Sequence, residues 1–499
     1  MGKSLQELVA VLPGAVIQGK YDLAQPITNI VHDSRQVTSG TLFVCLPGTR
    51  VDGHDYISPA YKLGAKAVLV EKAVEVPDGL IVIQVPDTRA AMQIITPWFF
   101  DYPGRKLRMI GVTGTNGKTT TSYLIHSILT NAGYKAGIIG TIQTVIGNRV
   151  LPVKNTTPDV IELQATLAEM VQSGMDYVVM EVSSHALAQN RVAGCEFDVA
   201  IFTNMTRDHL DFHLTFENYL AAKAKLFQLV SVEEASKTGK SAVVNIDDPS
   251  AGAILENAAC PAITYGVHNK ADLMAQNTDI RSTGASFDIV GSFGTVPLTL
   301  RITGMFNVYN VLAAIGAALA EGINIAVIKT ALEQFQSVPG RFELVDCGQP
   351  FSIIVDYAHT PDGLENILKT AKQIAQRRII VVFGCGGDRD RTKRPIMGKL
   401  AAEYGDIVIA TSDNPRSEDP ELILEEIEVG IKDSLVKGKT YKKIIDRRQA
   451  IYEALHMAEQ DDVVIIAGKG HENYQILKDR TISFDDKEVA REIIREMIK

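Results

Sequence analysis

The sequence predicts an α/β protein of three domains, the first a smaller α/β domain, the second built on a mostly parallel sheet, and the third a separate doubly wound domain. Three observations predict it. Apolar strands alternate with helical stretches and run into polar or glycine-rich loops, the pattern of parallel sheets covered on both faces. The alternation opens after Pro103–Gly104 and restarts after Val338–Pro339–Gly340. At 499 residues the chain is also too long for one ordinary core. These breaks put the domains at residues 1–106, 107–338 and 339–499.

In the first domain Gly40–Leu46 and Ala67–Val70 read as strands and Tyr56–Leu63 as a helix. Met109–Val112 is a buried-looking strand. After it, Met175–Val182, Cys195–Asn204 and Lys240–Asp248 each read as an apolar strand ending in polar residues. The third domain repeats the pattern at 351–359, 377–387, 406–414 and 462–470. Ligands of such sheets bind beyond the carboxyl ends of the strands, so the polar residues after each strand are the candidates for function.

Hydrophobic residues make up 46% and mean hydropathy is +0.06, values of a soluble globular chain. No apolar run reaches membrane-spanning length. The start, MGKSLQELVAVLPG, is a poor signal peptide, and Gln6 breaks the myristoylation pattern. The five cysteines are scattered without a C-x-x-C pair, which fits reduced thiols in the cytoplasm rather than zinc or disulfides. A net charge of −9 argues against general nucleic-acid binding. The expectation is a cytoplasmic monomer with no membrane or nucleic-acid partner.

The strongest local signal is Met109–Thr121. An apolar strand enters a loop holding Gly114, Thr115, Asn116 and Gly117, and Lys118, Thr119 and Thr120 open a helix expected to run through Asn131. Glycines let backbone amides face a phosphate, a helix N-terminus favours its charge, and Lys118 adds a cation. Thr119 would offer its hydroxyl to Mg²⁺. Val112 stands where the generic phosphate loop has its first glycine. The loop alone fits a nucleotide switch or motor as well as an enzyme.

In the form TGTNGKTTT this loop resembles that of the Mur ligase family. From Asp33–Arg35 to Gly468–Glu472 the chain resembles the family's UDP-N-acetylmuramoyl-tripeptide synthetases. The resemblance implies an N-terminal domain for a UDP-sugar, a central P-loop ATPase-type domain, and a C-terminal Rossmann-like domain for the incoming amino acid. It implies an ATP- and Mg²⁺-dependent ligase that adds meso-2,6-diaminopimelate to UDP-N-acetylmuramoyl-L-alanyl-D-glutamate through an acyl phosphate, in peptidoglycan synthesis. Sister ligases adding lysine, a dipeptide or glutamate are the nearest rivals.

The same resemblance assigns residues. Glu181 and His209, just past two strands, become metal ligands, although His209 taken alone reads as a capping or core histidine. Lys223 becomes a lysine carbamylated by CO₂ that serves the metal site, with Lys225 as the alternative in AAKAKLF. His32, Ser34, Thr49, Arg50 and Val51 map to the nucleotide-sugar pocket, as do Asn155, Thr156, Thr157, Ser183, Gln189 and Arg191. Asn307 and Asn310, one turn apart on a helix start, join Arg341, Asp356 and His359 as further ATP contacts. The amino-acid pocket takes Arg389, Asp413, Asn414, Pro415, Arg416, Gly468 and Glu472. Guanidiniums grip carboxylates in a planar fork, so Arg416 would bind the distal carboxylate of diaminopimelate and Asp413 or Asn414 its ammonium. D-N-P-R is the signature that separates diaminopimelate-adding members from lysine-adding ones.

Overall fold

The computed structural model describes residues 3–18, 22–48, 51–231 and 237–498. The chain forms two compact units. Met1–Gly111, Lys135–Asp198 and Val232–Thr238 make the first, and Val112–Tyr134, Val199–Ser231 and Gly239–Lys499 the second. The predicted positions Thr49 and Arg50 lie outside the described residues.

The first unit opens with a five-stranded sheet. Asn29–Val31, Thr41–Val44, Ala65–Val70 and Ile81–Gln84 run parallel, and Val16–Gln18 is an antiparallel edge. Parallel strands are buried on both faces, and Thr41–Val44 is buried at every position. The helix Thr88–Phe99 starts where Asp87 accepts from the Ala90 amide at 2.9 Å. Ile57–Lys62 forms the predicted helix. Later in this unit Ala136–Ile139 pairs in parallel with Tyr177–Glu181, the strand that carries Glu181.

In the second unit Val199–Phe202, Ser241–Asn245, Ala262–Gly266 and Leu273–Arg281 pair in parallel. The strand expected over Cys195–Asn204 is thus four residues long. Ahead of it, in the first unit, the Asp198 carboxylate accepts from the Met109 amide at 2.7 Å and from Lys237 at 2.8 Å. An antiparallel meander, Leu273–Arg281, Gly284–Gly291 and Gly294–Leu300, closes this region. It alternates buried and exposed residues, a weaker signal than the apolar runs of the parallel strands.

The C-terminal sheet has the order Glu343–Val345, Ser352–Asp356, Val463–Ala467, Ile379–Phe383, Ile407–Ala410, Thr440–Lys443, parallel except for the first pair. The last long strand is therefore inserted between two earlier ones, a reversal of winding that opens a crevice at the carboxyl edge. Helices cover both faces of this sheet. Two of them, Pro361–Ile374 and Pro420–Ser434, begin with proline behind a Thr360 or Asp419 cap, where a missing amide costs nothing.

Candidate active site

Strand Arg108–Thr113 delivers the phosphate loop, and the helix Lys118–Asn131 follows as predicted. The loop is tied to the segment after the next strand. Asn204 accepts from the Thr115 amide through its carbonyl and from the Asn116 amide through its side chain, both at 2.9 Å, and Thr203 Oγ1 donates to the Asn116 carbonyl at 2.7 Å. This close approach explains the glycines. A Cβ on Gly114 would come within 1.9 Å of Thr203 Oγ1, and one on Gly117 within 2.3 Å of Asn310 Oδ1. Lys118 curls over the loop and donates to the carbonyls of Gly114 at 2.9 Å and Thr115 at 2.8 Å. Thr119 and Thr120 are buried at the helix start. Asn307 and Asn310 are buried behind the loop and bonded to each other at 3.0 Å, so they brace it from below.

Lys223 is buried and donates to the Gly114 carbonyl at 2.7 Å, while Lys225 is exposed. Burial, with Lys118 close by, holds the Lys223 amine well below its usual pKa. His209 is half-exposed, not a core residue. Its Nε2 lies 3.5 Å from Asp208 and its backbone has φ +54°. In the first unit Glu181 is fully buried, and its two oxygens accept from the amide and hydroxyl of Thr141 at 2.8 and 2.9 Å.

Around Glu181 the predicted sugar-site residues gather. Thr156 shares a hydrogen bond with Thr141, Thr157 donates to the Glu181 carbonyl at 2.8 Å, and the Ser183 amide donates to Thr157 at 3.0 Å. Arg191 donates to Gln189 at 2.9 Å and to the Thr157 carbonyl at 3.2 Å. His32 Nε2 stands 3.8 Å from Asp159, which joins the N-terminal HDSR segment, and Ser34 with it, to the NTTP segment. Asn155 and Val51 are exposed on their loops.

The C-terminal domain touches the phosphate loop directly. Arg341 donates to Thr119 Oγ1 at 3.1 Å and lies 4.8 Å from the centre of the Tyr357 ring. Asn116 donates to Asp362 in the first turn of Pro361–Ile374. Asp356 accepts from the amides of Phe342 at 2.6 Å and Ala358 at 2.7 Å, and burial raises its pKa against the pull of Arg341. His359 bonds the Tyr357 carbonyl at 2.8 Å, and Lys393 donates to the carbonyl of His359 at 2.8 Å.

Three strand ends converge on the predicted amino-acid residues. Asp413 and Asn414 are buried, and Arg416 donates to the Gly387 carbonyl at 2.8 Å, with its backbone at φ +53°. A non-glycine residue held there costs of order 1 kcal/mol, and such outliers cluster at functional sites. Pro415 packs so closely that a Cβ on Gly387 would meet its carbonyl at 1.9 Å, and Gly468 crowds Asp413 Oδ2 in the same way at 2.6 Å. Glu472 accepts from Asn414 Nδ2 at 2.8 Å. Arg389 is exposed and donates to the Asp388 carbonyl at 3.0 Å, beside Gly386 and Arg416.

Sequence reasoning did not single out Thr203, Asn204, Asp362, Lys469, or two buried arginines. Arg394 bridges Glu418, Glu426 and the Gly386 carbonyl, and Arg447 pairs with Asp486 and donates to the Ala467 carbonyl at 3.0 Å. Thr203, Asn204 and Lys469 follow strands, which was their available signal. The arginines are defined by acidic partners 24 to 39 residues away, and a single sequence carries no sign of those.

Among the described residues no three His, Cys, Asp or Glu side chains cluster as a metal site. Each unit offers oxygen donors of the kind a hard divalent cation takes. In the second unit Thr119 has a buried hydroxyl, His209 an imidazole, and Lys223 a buried amine whose pKa burial lowers; in the first, Glu181 has a buried carboxylate. No helix among the described residues is long and apolar enough to cross a membrane.

A strand–loop–helix phosphate site braced by a doubly wound C-terminal domain defines a nucleotide-using α/β enzyme scaffold. Family models match the chain in three stretches: the Mur ligase family catalytic domain at residues 26–97, the Mur ligase middle domain at 112–318, and the Mur ligase glutamate ligase domain at 340–470. The chain belongs to the Mur ligase family. It is 49% identical over 494 residues, 99% of each chain, to the UDP-N-acetylmuramoyl-L-alanyl-D-glutamate–2,6-diaminopimelate ligase of Geobacillus thermodenitrificans. The ligase of the same name from Syntrophomonas wolfei is 46% identical over 99% of this chain and 100% of its own. A solved structure of such a ligase aligns over 100% of both chains with a TM-score of 0.70 and 34% identity. MurF from Acinetobacter baumannii, at 21% identity and TM-score 0.69 over 94% of this chain and 96% of its own, shares the fold.

Proposed function

We propose that this chain is the cytoplasmic, ATP- and Mg²⁺-dependent ligase that joins meso-2,6-diaminopimelate to UDP-N-acetylmuramoyl-L-alanyl-D-glutamate. The carrying observation is the Asp413–Arg416 turn, gathered with Gly468 and Glu472 in a domain whose Arg341 and Asp362 touch the phosphate loop. Full-length likeness to ligases named for this reaction supports it. The division of labour is UDP-sugar binding in residues 1–106, ATP binding in 107–338, and amino-acid binding in 339–499.

A carboxylate resists an amine because its oxygen is a poor leaving group. The γ-carboxylate of D-glutamate attacks the γ-phosphorus of ATP, the bond to the β–γ bridging oxygen breaks, and ADP departs to leave an acyl phosphate. The free-base amine at the L-centre of diaminopimelate attacks the acyl carbon. The tetrahedral intermediate expels inorganic phosphate, the nitrogen loses a proton to solvent, and the amide remains. Phosphoryl transfer of this kind needs chiefly positioning and charge neutralisation. The loop amides from Gly114 to Thr120 would cradle the phosphates and Lys118 would exchange its two carbonyl bonds for phosphate oxygens. Arg341, Asp356 and His359 would meet the nucleotide from the C-terminal domain, with Asn307 and Asn310 steadying the loop beneath it.

His32, Ser34, Thr49, Arg50, Val51, Asn155, Thr156, Thr157, Ser183, Gln189 and Arg191 would hold the nucleotide-linked dipeptide. Arg389 and Arg416 would orient the carboxylates of the amino acid. Thr119, His209 and a carbamylated Lys223 would hold Mg²⁺, which when bound neutralises phosphate charge, and Glu181 takes the metal-ligand role that the family resemblance gives it. The C-terminal domain, which already contacts the loop through Arg341 and Asp362, would exclude the water that could hydrolyse the acyl phosphate.

Phosphate release from the purified protein tests this. Release should require ATP, the UDP-muramoyl dipeptide and meso-diaminopimelate together, with L-lysine at least tenfold poorer in kcat/KM. ATP hydrolysis indifferent to the amino acid, or equal use of lysine, would refute it.

A further inference from the structure

Lys469 has no part in the reaction as described, yet its side chain is fully buried between two residues of the amino-acid site. Its ammonium donates to Glu472 Oε2 at 2.8 Å and to Asn414 Oδ1 at 3.2 Å. Asn414 Oδ1 also accepts from the Ile476 amide at 2.9 Å, and Asn414 Nδ2 donates to Glu472 Oε2 at 2.8 Å. The carbonyl oxygen of that amide already has two donors and its orientation is fixed, so it has no acceptor capacity left for a substrate. The charge of Glu472 is balanced by Lys469. Asp413 differs. One of its oxygens accepts from the Asn414 amide at 2.6 Å, and the other lies beside Gly468, where a side chain would block it. The nearby buried Arg447 is already paired with Asp486 at 2.6 and 2.8 Å.

We infer that Lys469 is a positioning residue that sets amino-acid specificity: it locks Asn414 and neutralises Glu472, which leaves Asp413 to take the distal ammonium while Arg416 takes the distal carboxylate. This rests on the diaminopimelate reading above. A cation at position 469 matters because an uncompensated Glu472 would repel the distal carboxylate, and like charges in a shared site oppose binding strongly. Diaminopimelate carries that carboxylate and L-lysine does not, so the lock favours one over the other.

The test compares kcat/KM for the two amino acids in wild type, Lys469→Met and Lys469→Arg, with the KM for ATP followed in each. Lys469→Met should lower kcat/KM for diaminopimelate at least tenfold, change that for L-lysine less than threefold, and leave the KM for ATP unchanged. Lys469→Arg should restore most of the preference. An equal loss with both amino acids means a merely structural role and overturns the assignment, as does no change. Asp413→Asn, which keeps Lys469 in place, tests the other half even if the Met variant fails to fold. It should impair both amino acids by similar factors, because both carry the ammonium; a loss confined to one overturns the assignment. A wild-type protein that ignores diaminopimelate overturns the underlying reading as well. Normal wild-type use with unchanged variants overturns the Lys469 assignment alone.

Discussion

Lys223 carries a charge problem that its surroundings solve. A second ammonium beside Lys118, sharing the Gly114 carbonyl, is repelled, and burial removes the water that would stabilise it. Burial, and Lys118 beside it, favour the uncharged amine over the ammonium, and the uncharged amine is the form that adds CO₂. Lys223→Ala should lower turnover at least 100-fold and short carboxylates should partly restore it; full activity without rescue would remove the carbamate from the account. Arg416→Ala should raise the KM for diaminopimelate far more than that for ATP, by a factor corresponding to about 2–5 kcal/mol for a charged contact left unpaired. Competition binding of both ligands would read the split, and an equal loss would contradict it. In the sequence Lys223 and Lys225 are equivalent helix lysines, and the resemblance alone separated them. The structure adds the physical distinction, because one is buried and the other exposed. Asp362 and Lys469 stayed unassigned because their meaning lies in partners 246 and 55 residues away.

At the scale of elements the phosphate loop was the most legible part, since strand, glycines and helix are contiguous. Its bracing was not, because Thr203, Asn204 and Asn310 reach it from other strands and helices. Gly114→Ala should abolish nucleotide binding by forcing the loop away from Thr203, at a site where φ is +149°. Calorimetric titration with an ATP analogue checks this, and near-normal affinity would contradict the close approach. The parallel strands were legible as apolar runs, whereas the antiparallel meander at 273–300 was passed over for its half-exposed pattern.

The amino-acid turn depends on acid–base pairing. Hydrogen bonds from buried Arg394 hold the Glu418 carboxyl at about 2, against an ordinary 4.5. A carboxylate depressed in this way contributes stability above its unfolded pKa, lost as pH falls through its folded one. Thermal unfolding of the C-terminal domain should thus shift down progressively between pH 4.5 and 2. In Glu418→Gln the shift should be smaller, and an identical slope would contradict the pairing.

For the whole molecule the consequential feature is that one sheet edge of the C-terminal domain carries both the phosphate-loop contacts and the residues proposed for the amino acid. Arg341 and Asp362 contact the loop, while Asp413, Arg416 and Glu472 line the same carboxyl side. The fully buried Arg447–Asp486 pair ties the final helix to the strand before Gly468. Arg447→Ala leaves Asp486 uncompensated and should destabilise the domain by about 3–5 kcal/mol. Denaturant unfolding measures this, and a change below about 1 kcal/mol would be out of line with a buried pair.

Activation of a carboxylate by phosphoryl transfer, followed by amine attack, is best tested by following oxygen. The UDP-muramoyl dipeptide would carry ¹⁸O in both oxygens of the D-glutamate γ-carboxylate, and the enzyme would be supplied with ATP and meso-diaminopimelate. Mass analysis should find one ¹⁸O in the released phosphate and one in the new amide. Unlabelled phosphate, with ATP consumed and both labelled oxygens still in the dipeptide, would contradict it.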